Sequence, residues 1–275
     1  MTLDLDYSNP SRLADQLKKH TDSYGKWDIL IHNAGLTVSV FRDEYYEINE
    51  RLTARLVEAV KESEVLDSSG KLIYVSSYAA YGPSGINQPV SAYGKSKAAA
   101  EKHIAEAGYD YMICRPTGIY GSGDMAFLPL FKTAAFGFFP MMSPTNQQLT
   151  LIHGADLASG IVQHLNNAEK YLHFNDGNSY THADFKEALS KAVGKKLIYL
   201  RLPIAMVRMW LKLSDHFYRV IKGRPGVTLE KYDEISMNWD LHKTTDLYHP
   251  PINCQYNLTS GSKEAYDFYK KHKLV

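Results

Sequence analysis

Cysteine is scarce in this chain: Cys114 and Cys254 are the only two in 275 residues. They lie far apart and in no metal-ligand spacing, which argues against a disulfide framework or a zinc site and suits a reducing compartment. Charge of either sign is not in excess. Thirty-one Lys or Arg stand against 30 Asp or Glu, a formal net charge of +1, so no global field recruits nucleic acid or an anionic membrane and recognition has to come from a local site. Long apolar runs are also missing. The two most apolar stretches, MAFLPLFKTAAFGFFPMM and LPIAMVRMWLKL, are interrupted by Pro, Lys or Arg and fall short of the ~20 residues of a spanning helix. The second reads as a buried amphipathic helix, and neither a membrane nor a nucleic acid is expected as a partner. Residues 1–10 carry neither a basic leader nor an apolar run, so the expected compartment is the cytoplasm.

What is present is an ordinary globular composition, 44% hydrophobic and 22% charged, with short apolar runs alternating with helical patterns. The strand candidates are DILIH (Asp28 to His32), KLIYVSS (Lys71 to Ser77) and YDYMICR (Tyr109 to Arg115). Between the first two, Ile48, Leu52, Leu56 and Val60 are spaced by four and predict one long helix with an apolar stripe. Another helix is expected from Pro10 with Asn9 as its cap, and a third after Thr181, with Asp184 reaching back and Gly194 ending it. The order β-α-β-α-β-α predicts an α/β fold, doubly wound around a Rossmann-like parallel sheet. The expected organisation is a dinucleotide-binding part over residues 1–125, with return segments near 150–175, and a smaller, mostly substrate-binding region over 126–275.

One local pattern carries chemistry. SAYGKSKAAAEKH places Tyr93 and Lys97 at i and i+4, hence on one helical face. A lysine ammonium near a phenol favours the phenolate and brings the tyrosine toward the range where it exchanges a proton with a carbonyl or alcohol. By itself that spacing is common. Its company is what raises its weight: KLIYVSS ends in Ser76 and Ser77, and YDYMICR ends in RPTGIYGSGD, so three elements converge at strand C-terminal ends, where such sheets present their active sites.

Taken together, DILIHNAG, YVSSYAAYG, SAYGKSK and CRPTGIYG resemble the extended short-chain dehydrogenase/reductase family, the NAD-dependent epimerase/dehydratase group. The resemblance implies that Tyr93 is the catalytic acid/base and that Lys97 lowers its pKa and holds the nicotinamide ribose. It also implies that Ser77, four residues before the tyrosine of AYG, orients the substrate oxygen, with Ser76 the less favoured neighbour. His32, Asn33 and Ala34 correspond to a cofactor-lining loop, Asn49 to an asparagine of the next helix, Pro116 and Ile119 to the loop at the nicotinamide carboxamide, and Asp4 and Leu5 to the pair beside adenine. The cofactor implied is NAD or NADP, and the partners are a small-molecule substrate and, in many relatives, a second copy in a homodimer.

The family's opening strand and Gly-x-x-Gly-x-x-Gly turn have no counterpart here; GIYGSGD (Gly118 to Asp124) follows a late strand and has the wrong spacing. LDLD at Leu3 to Asp6 then reads as the family's third strand, and the expectation is an N-terminally incomplete domain short of about sixty residues. Three functions remain open. The first is hydride transfer on an apolar secondary alcohol or ketone, with Phe127, Phe131, Phe136, Phe138, Phe139 and Met141 near the substrate. The second is nucleotide-sugar epimerisation or dehydration, with Arg208, Arg219 and Arg224 toward the diphosphate. The third is a truncated, non-catalytic family member.

Overall fold

The computed structural model of the chain describes residues 5–141, 147–241, 244 and 247–275. It divides into two compact units. The first comprises Met1–Gly82, Gln88–Arg115 and Asn167–Leu172, and the second Pro83–Asn87, Pro116–Asn166 and His173–Val275.

The first unit opens with α1 (Pro10–Tyr24), where Asn9 accepts the Arg12 N–H on its side chain and Pro10 supplies the preset φ of a first helical position. Next come β1 (Trp27–His32), α2 (Arg42–Tyr45), a π-helical turn (Tyr46–Arg51), α3 (Leu52–Ser63), β2 (Leu66–Val75), a 3-10 turn (Tyr78–Ala80), α4 (Ala92–Ala105) and β3 (Asp110–Pro116). β1 pairs parallel with β2 (Leu30 to Leu72, His32 to Tyr74) and β2 parallel with β3 (Leu72 to Tyr111, Val75 to Cys114). With β7 (Tyr171–Phe174) beside β3, the sheet order is β1-β2-β3-β7. Parallel neighbours require crossovers, and α3 and α4 supply them. The fold class is therefore α/β with a parallel sheet, as the sequence predicts.

Leu13 and Leu17 of α1, Leu56, Val57 and Val60 of α3, and Ala100 and Ile104 of α4 pack with Leu30, Leu72, Tyr74 and Ile113 into one core. β1 alternates: Leu30 and His32 are buried, whereas Ile29 and Ile31 are exposed. The predicted uninterrupted helix is not what forms. Leu56 and Val60 are buried as its stripe requires, but a π turn precedes them and carries Asn49 fully inside. An i→i+5 turn inserts an extra residue and rotates the side chains before it; such insertions recur at functional sites. Leu5 and Asp6 form no strand, and Leu5 packs against the α1/α3 core; Leu3 and Asp4 lie outside the described residues.

The second unit holds β4 (Gly118–Tyr120), α5 (Leu128–Ala135), β5 (Phe138–Met141), β6 (Leu149–His153), α6 (Gly154–Gln163), β8 (Ser179–Tyr180), α7 (His182–Val193), β9 (Ile198–Arg201), α8 (Ile204–Val220), α9 (Leu229–Ile235) and α10 (Leu258–Lys271). β4, β6 and β8 form one small sheet, and β5 with β9 another. α7 starts where the sequence predicts it, with the reciprocal Thr181–Asp184 capping box, and ends at Gly194 with φ 69°.

Phe131 and Phe139 are core residues packed with Phe185, Leu189, Leu258 and Tyr269, and Phe127 stacks on Phe185. These rings hold the unit together, and Phe127 and Phe131 also line a small cavity in it with Leu130, Leu189, Leu258 and Ser262. LPIAMVRMWLKL does form a helix, but α8 buries only Val207, Leu211 and Asp215. Val207 and Leu211 meet Tyr232, Val227 and Leu229, a contact too small to cover the rest of a helix this apolar.

Candidate active site

α4 is set by its first turn. Ser91 caps it by accepting the Gly94 N–H at 3.0 Å. Gly94 is required by close approach: a Cβ there would lie 2.3 Å from the Ala79 carbonyl oxygen, inside any tolerable contact. Helix and 3-10 turn therefore touch backbone to backbone, and the helix face with Tyr93, Lys97 and Glu101, each four residues on, turns inward. These three side chains belong to residues only 8%, 4% and 3% exposed.

A buried ammonium has to be hydrogen-bonded. Lys97 Nζ donates to the Val75 carbonyl at 2.9 Å, at the C-terminal end of β2, and sits 4.7 Å over the Tyr74 ring. Burial brings its pKa down to about 8, against a smaller upward pull from Glu101. Tyr45 lies against Tyr93, with ring centroids 6.2 Å apart.

The two serines at the end of β2 separate cleanly. Ser76 is buried and donates to Glu101 Oε1 at 2.5 Å. Glu101 in turn accepts two bonds from Arg115, Nε to Oε1 at 2.9 Å and a second nitrogen to Oε2 at 2.6 Å. Ser77 is half-buried and caps the 3-10 turn by accepting the Ala79 N–H at 3.2 Å; as an acceptor there, its own hydroxyl proton is left to donate elsewhere.

A second ring of contacts fixes the loop after β1. Asn49 accepts the Leu36 N–H at 2.7 Å and donates to the Leu36 carbonyl at 3.0 Å and to Ser96 Oγ at 2.9 Å. The loop is thereby tied to α4. Gly35 lies against both groups: a Cβ there would meet Lys97 Nζ at 3.0 Å and Asn49 Oδ1 at 3.1 Å. Asn33 and Ala34 are exposed on this loop, whereas His32 is buried. His32 Nε2 is 2.9 Å from Thr53 Oγ1, whose single proton goes to the Asn49 carbonyl at 2.6 Å. His32 Nε2 must then be the donor, which places a proton on that ring nitrogen.

Burial, with the Lys97 charge as a second cause, lowers the His32 pKa to about 4. Because the folded value lies below the ordinary one, the unfolded chain takes up this proton first as pH falls. The His32 contribution is therefore present above pH 6.5 and lost on descending to about 4. It is worth roughly 3 kcal/mol, and urea melts of the wild type and His32→Gln at pH 7 and pH 4.5 are expected to show the larger pH dependence in the wild type.

The structure thus brings Ser77, Tyr93, Lys97, His32, Asn33 and Ala34 into one unit. Pro116, buried at the end of β3, and Ile119, exposed on β4, belong to the second. Asp4 lies outside the described residues, and Leu5 is half-buried against the α1/α3 core.

The NAD dependent epimerase/dehydratase family matches residues 3–177. The chain belongs to this family. Among curated relatives, ceramide reductase of Caulobacter vibrioides is 29% identical over 199 residues, which cover 68% of this chain and 59% of that protein. The decarboxylating sterol-4-alpha-carboxylate 3-dehydrogenase erg26 of Schizosaccharomyces pombe is 32% identical over 115 residues, 37% of this chain and 33% of that one. The matches thus span less than two thirds of the first relative's length and one third of the second's. Among solved structures, the UDP-glucuronic acid 4-epimerase of Bacillus cereus in complex with NAD has a TM-score of 0.65 at 20% identity, covering 93% of this chain and 78% of its own. The NAD complex of Thermus thermophilus UDP-glucose 4-epimerase gives 0.64 at 17% identity, covering 97% and 83%. At such identities the likeness is one of fold.

In this epimerase/dehydratase family chain, Glu101 and Arg115 also join the inward face of α4, and neither stands among the residues expected from the sequence. Glu101 was findable: it continues the spacing of Tyr93 and Lys97 by another four residues. Arg115 was not, because only the β2–β3 register carries the end of YDYMICR to the helix face. Of the arginines weighed for a diphosphate, Arg208 is engaged by Asp233 in an ion pair.

Proposed function

We propose that this chain carries the proton-transfer side of a nicotinamide-dependent oxidoreductase acting on an apolar secondary alcohol or ketone. The observation that carries the reading is the inward face of α4, with Tyr93 and Lys97 buried side by side in sequence register and Lys97 held by the Val75 carbonyl. When bound, NAD or NADP supplies or accepts the hydride. The residues fit the ribose end of such a group: Lys97 has three donors, of which the Val75 carbonyl takes one, and Gly35 keeps the space beside its ammonium open.

Tyr93 passes its hydroxyl proton to the substrate oxygen in reduction and takes it back in oxidation. Lys97, charged below about pH 8, favours the phenolate that results. Ser77 donates a hydrogen bond to the same oxygen, and Ser76 has no such freedom because it is bonded to Glu101. His32 stays neutral and positions the loop through Thr53. Pro116 and Ile119 are proposed at the carboxamide end on the family resemblance alone. An apolar substrate is favoured over a nucleotide-sugar because both curated relatives are named for lipids, a ceramide and a sterol.

The test is a titration with NADH and NADPH followed by nicotinamide fluorescence, then turnover against long-chain ketones and 3-keto sterols. Saturable binding and oxidation of the reduced nicotinamide by an apolar ketone are expected. Conversion of a nucleotide-sugar without net change in the nicotinamide, and none of any apolar ketone, overturns the reading.

A further inference from the structure

α8 has two apolar faces, and the protein uses one. Val207, Leu211 and Asp215, four apart, form the buried seam. At about 100° per residue, Met206, Met209, Trp210, Leu213, Phe217 and Val220 fall within an arc of roughly 100° on the opposite side. Each is between 57% and 69% exposed. This stripe runs about 21 Å along the helix. It is continued toward the N-terminus by Ile204 and Leu202 and by Leu200 and Ile198 of β9, all exposed, and Phe138, the register partner of Ile198, is exposed as well.

Charge accompanies the stripe. Residues 195–224 hold eight Lys or Arg (Lys195, Lys196, Arg201, Arg208, Lys212, Arg219, Lys222 and Arg224) against Asp215 alone, a net of +7 on a chain whose total is +1. Arg208, Lys212 and Arg219 line one flank of the helix, between the buried seam and the open stripe. Asp233 of α9 engages Arg208, and Asp215 is turned inward, accepting the Leu229 N–H.

The geometry points to α8 as an in-plane membrane helix, lying on an anionic lipid surface with Met206, Trp210, Leu213 and Phe217 in the acyl boundary and the basic residues among the headgroups. An exposed apolar stripe with an aromatic centre and flanking Lys and Arg is the arrangement that binds such an interface. A second copy is the poorer occupant, because a symmetric contact through this face sets one copy's basic segment against the other's. Among the described residues no helix is long and apolar enough to span a bilayer, so the mode is lying on the surface.

Flotation of the 275-residue chain with vesicles of phosphatidylcholine alone, and of phosphatidylcholine mixed with phosphatidylglycerol, tests this. Binding to the anionic vesicles is expected, with a blue shift of tryptophan emission from Trp210, since Trp27 and Trp239 are already half-buried. Trp210→Ser with Leu213→Ser is expected to abolish binding with the melting temperature unchanged, as both side chains are solvent-exposed. Lys212→Glu with Lys222→Glu is expected to lower it by about an order of magnitude or more. Absence of binding to anionic vesicles, equal binding to neutral ones, or a solution dimer that the serine pair dissociates would each overturn the proposal.

Discussion

Tyr93→Phe is expected to lower nicotinamide-dependent turnover by about 10²–10⁴-fold while leaving the affinity for NADH or NADPH within a few-fold of wild type. The substitution removes one oxygen from a residue whose ring stays packed against Tyr45, so the helix face, Lys97 and its bond to the Val75 carbonyl remain. What is lost is the proton donor. Single-turnover kinetics with pre-bound nicotinamide separates the two quantities, and a variant with undiminished turnover would remove Tyr93 from the chemistry. Lys97 adds a pH signature. Its burial-lowered pKa, about 8, means that its charge is present below that pH and lost above it, so coenzyme binding is expected to weaken as pH rises through about 8.

Glu101→Ala is expected to cost about 3–5 kcal/mol of stability. The substitution takes from the Arg115 guanidinium, its side chain 14% exposed, the carboxylate that accepts two of its bonds, and from the buried Ser76 hydroxyl its acceptor. A buried pair adds little over a well-packed apolar replacement, yet removing one member leaves an uncompensated charge, and that asymmetry sets the size of the effect. The midpoint of urea unfolding reads it, and a loss under 1 kcal/mol would show that Arg115 and Ser76 are satisfied without the carboxylate. The same variant removes the upward pull of Glu101 on Lys97, so the pH at which coenzyme binding weakens is expected to move down.

Glu101 shows how far local sequence reaches. Capping and periodicity are interactions within a few residues, and they were legible: Asn9 and Pro10 at α1, Thr181, Asp184 and Gly194 around α7, and the inward face that Tyr93 and Lys97 share on α4. The alternation of strands and helices sufficed for an α/β fold with a parallel sheet, because parallel pairing without a crossover is impossible.

Choices between neighbours lay elsewhere. That Ser76 rather than Ser77 faces Glu101 follows from the β2–β3 register and the position of α4, neither of which is a local property. The π turn that buries Asn49 defeated a spacing-of-four argument because the preference arises from the Leu36 loop it has to reach, 13 residues away in sequence. The open stripe of α8 is the sharpest case. Its amphipathic pattern was evident from the letters, but an amphipathic pattern says only that an apolar face exists. Whether protein or something else covers that face depends on what packs against it, and tertiary structure assigned α9 to the opposite side.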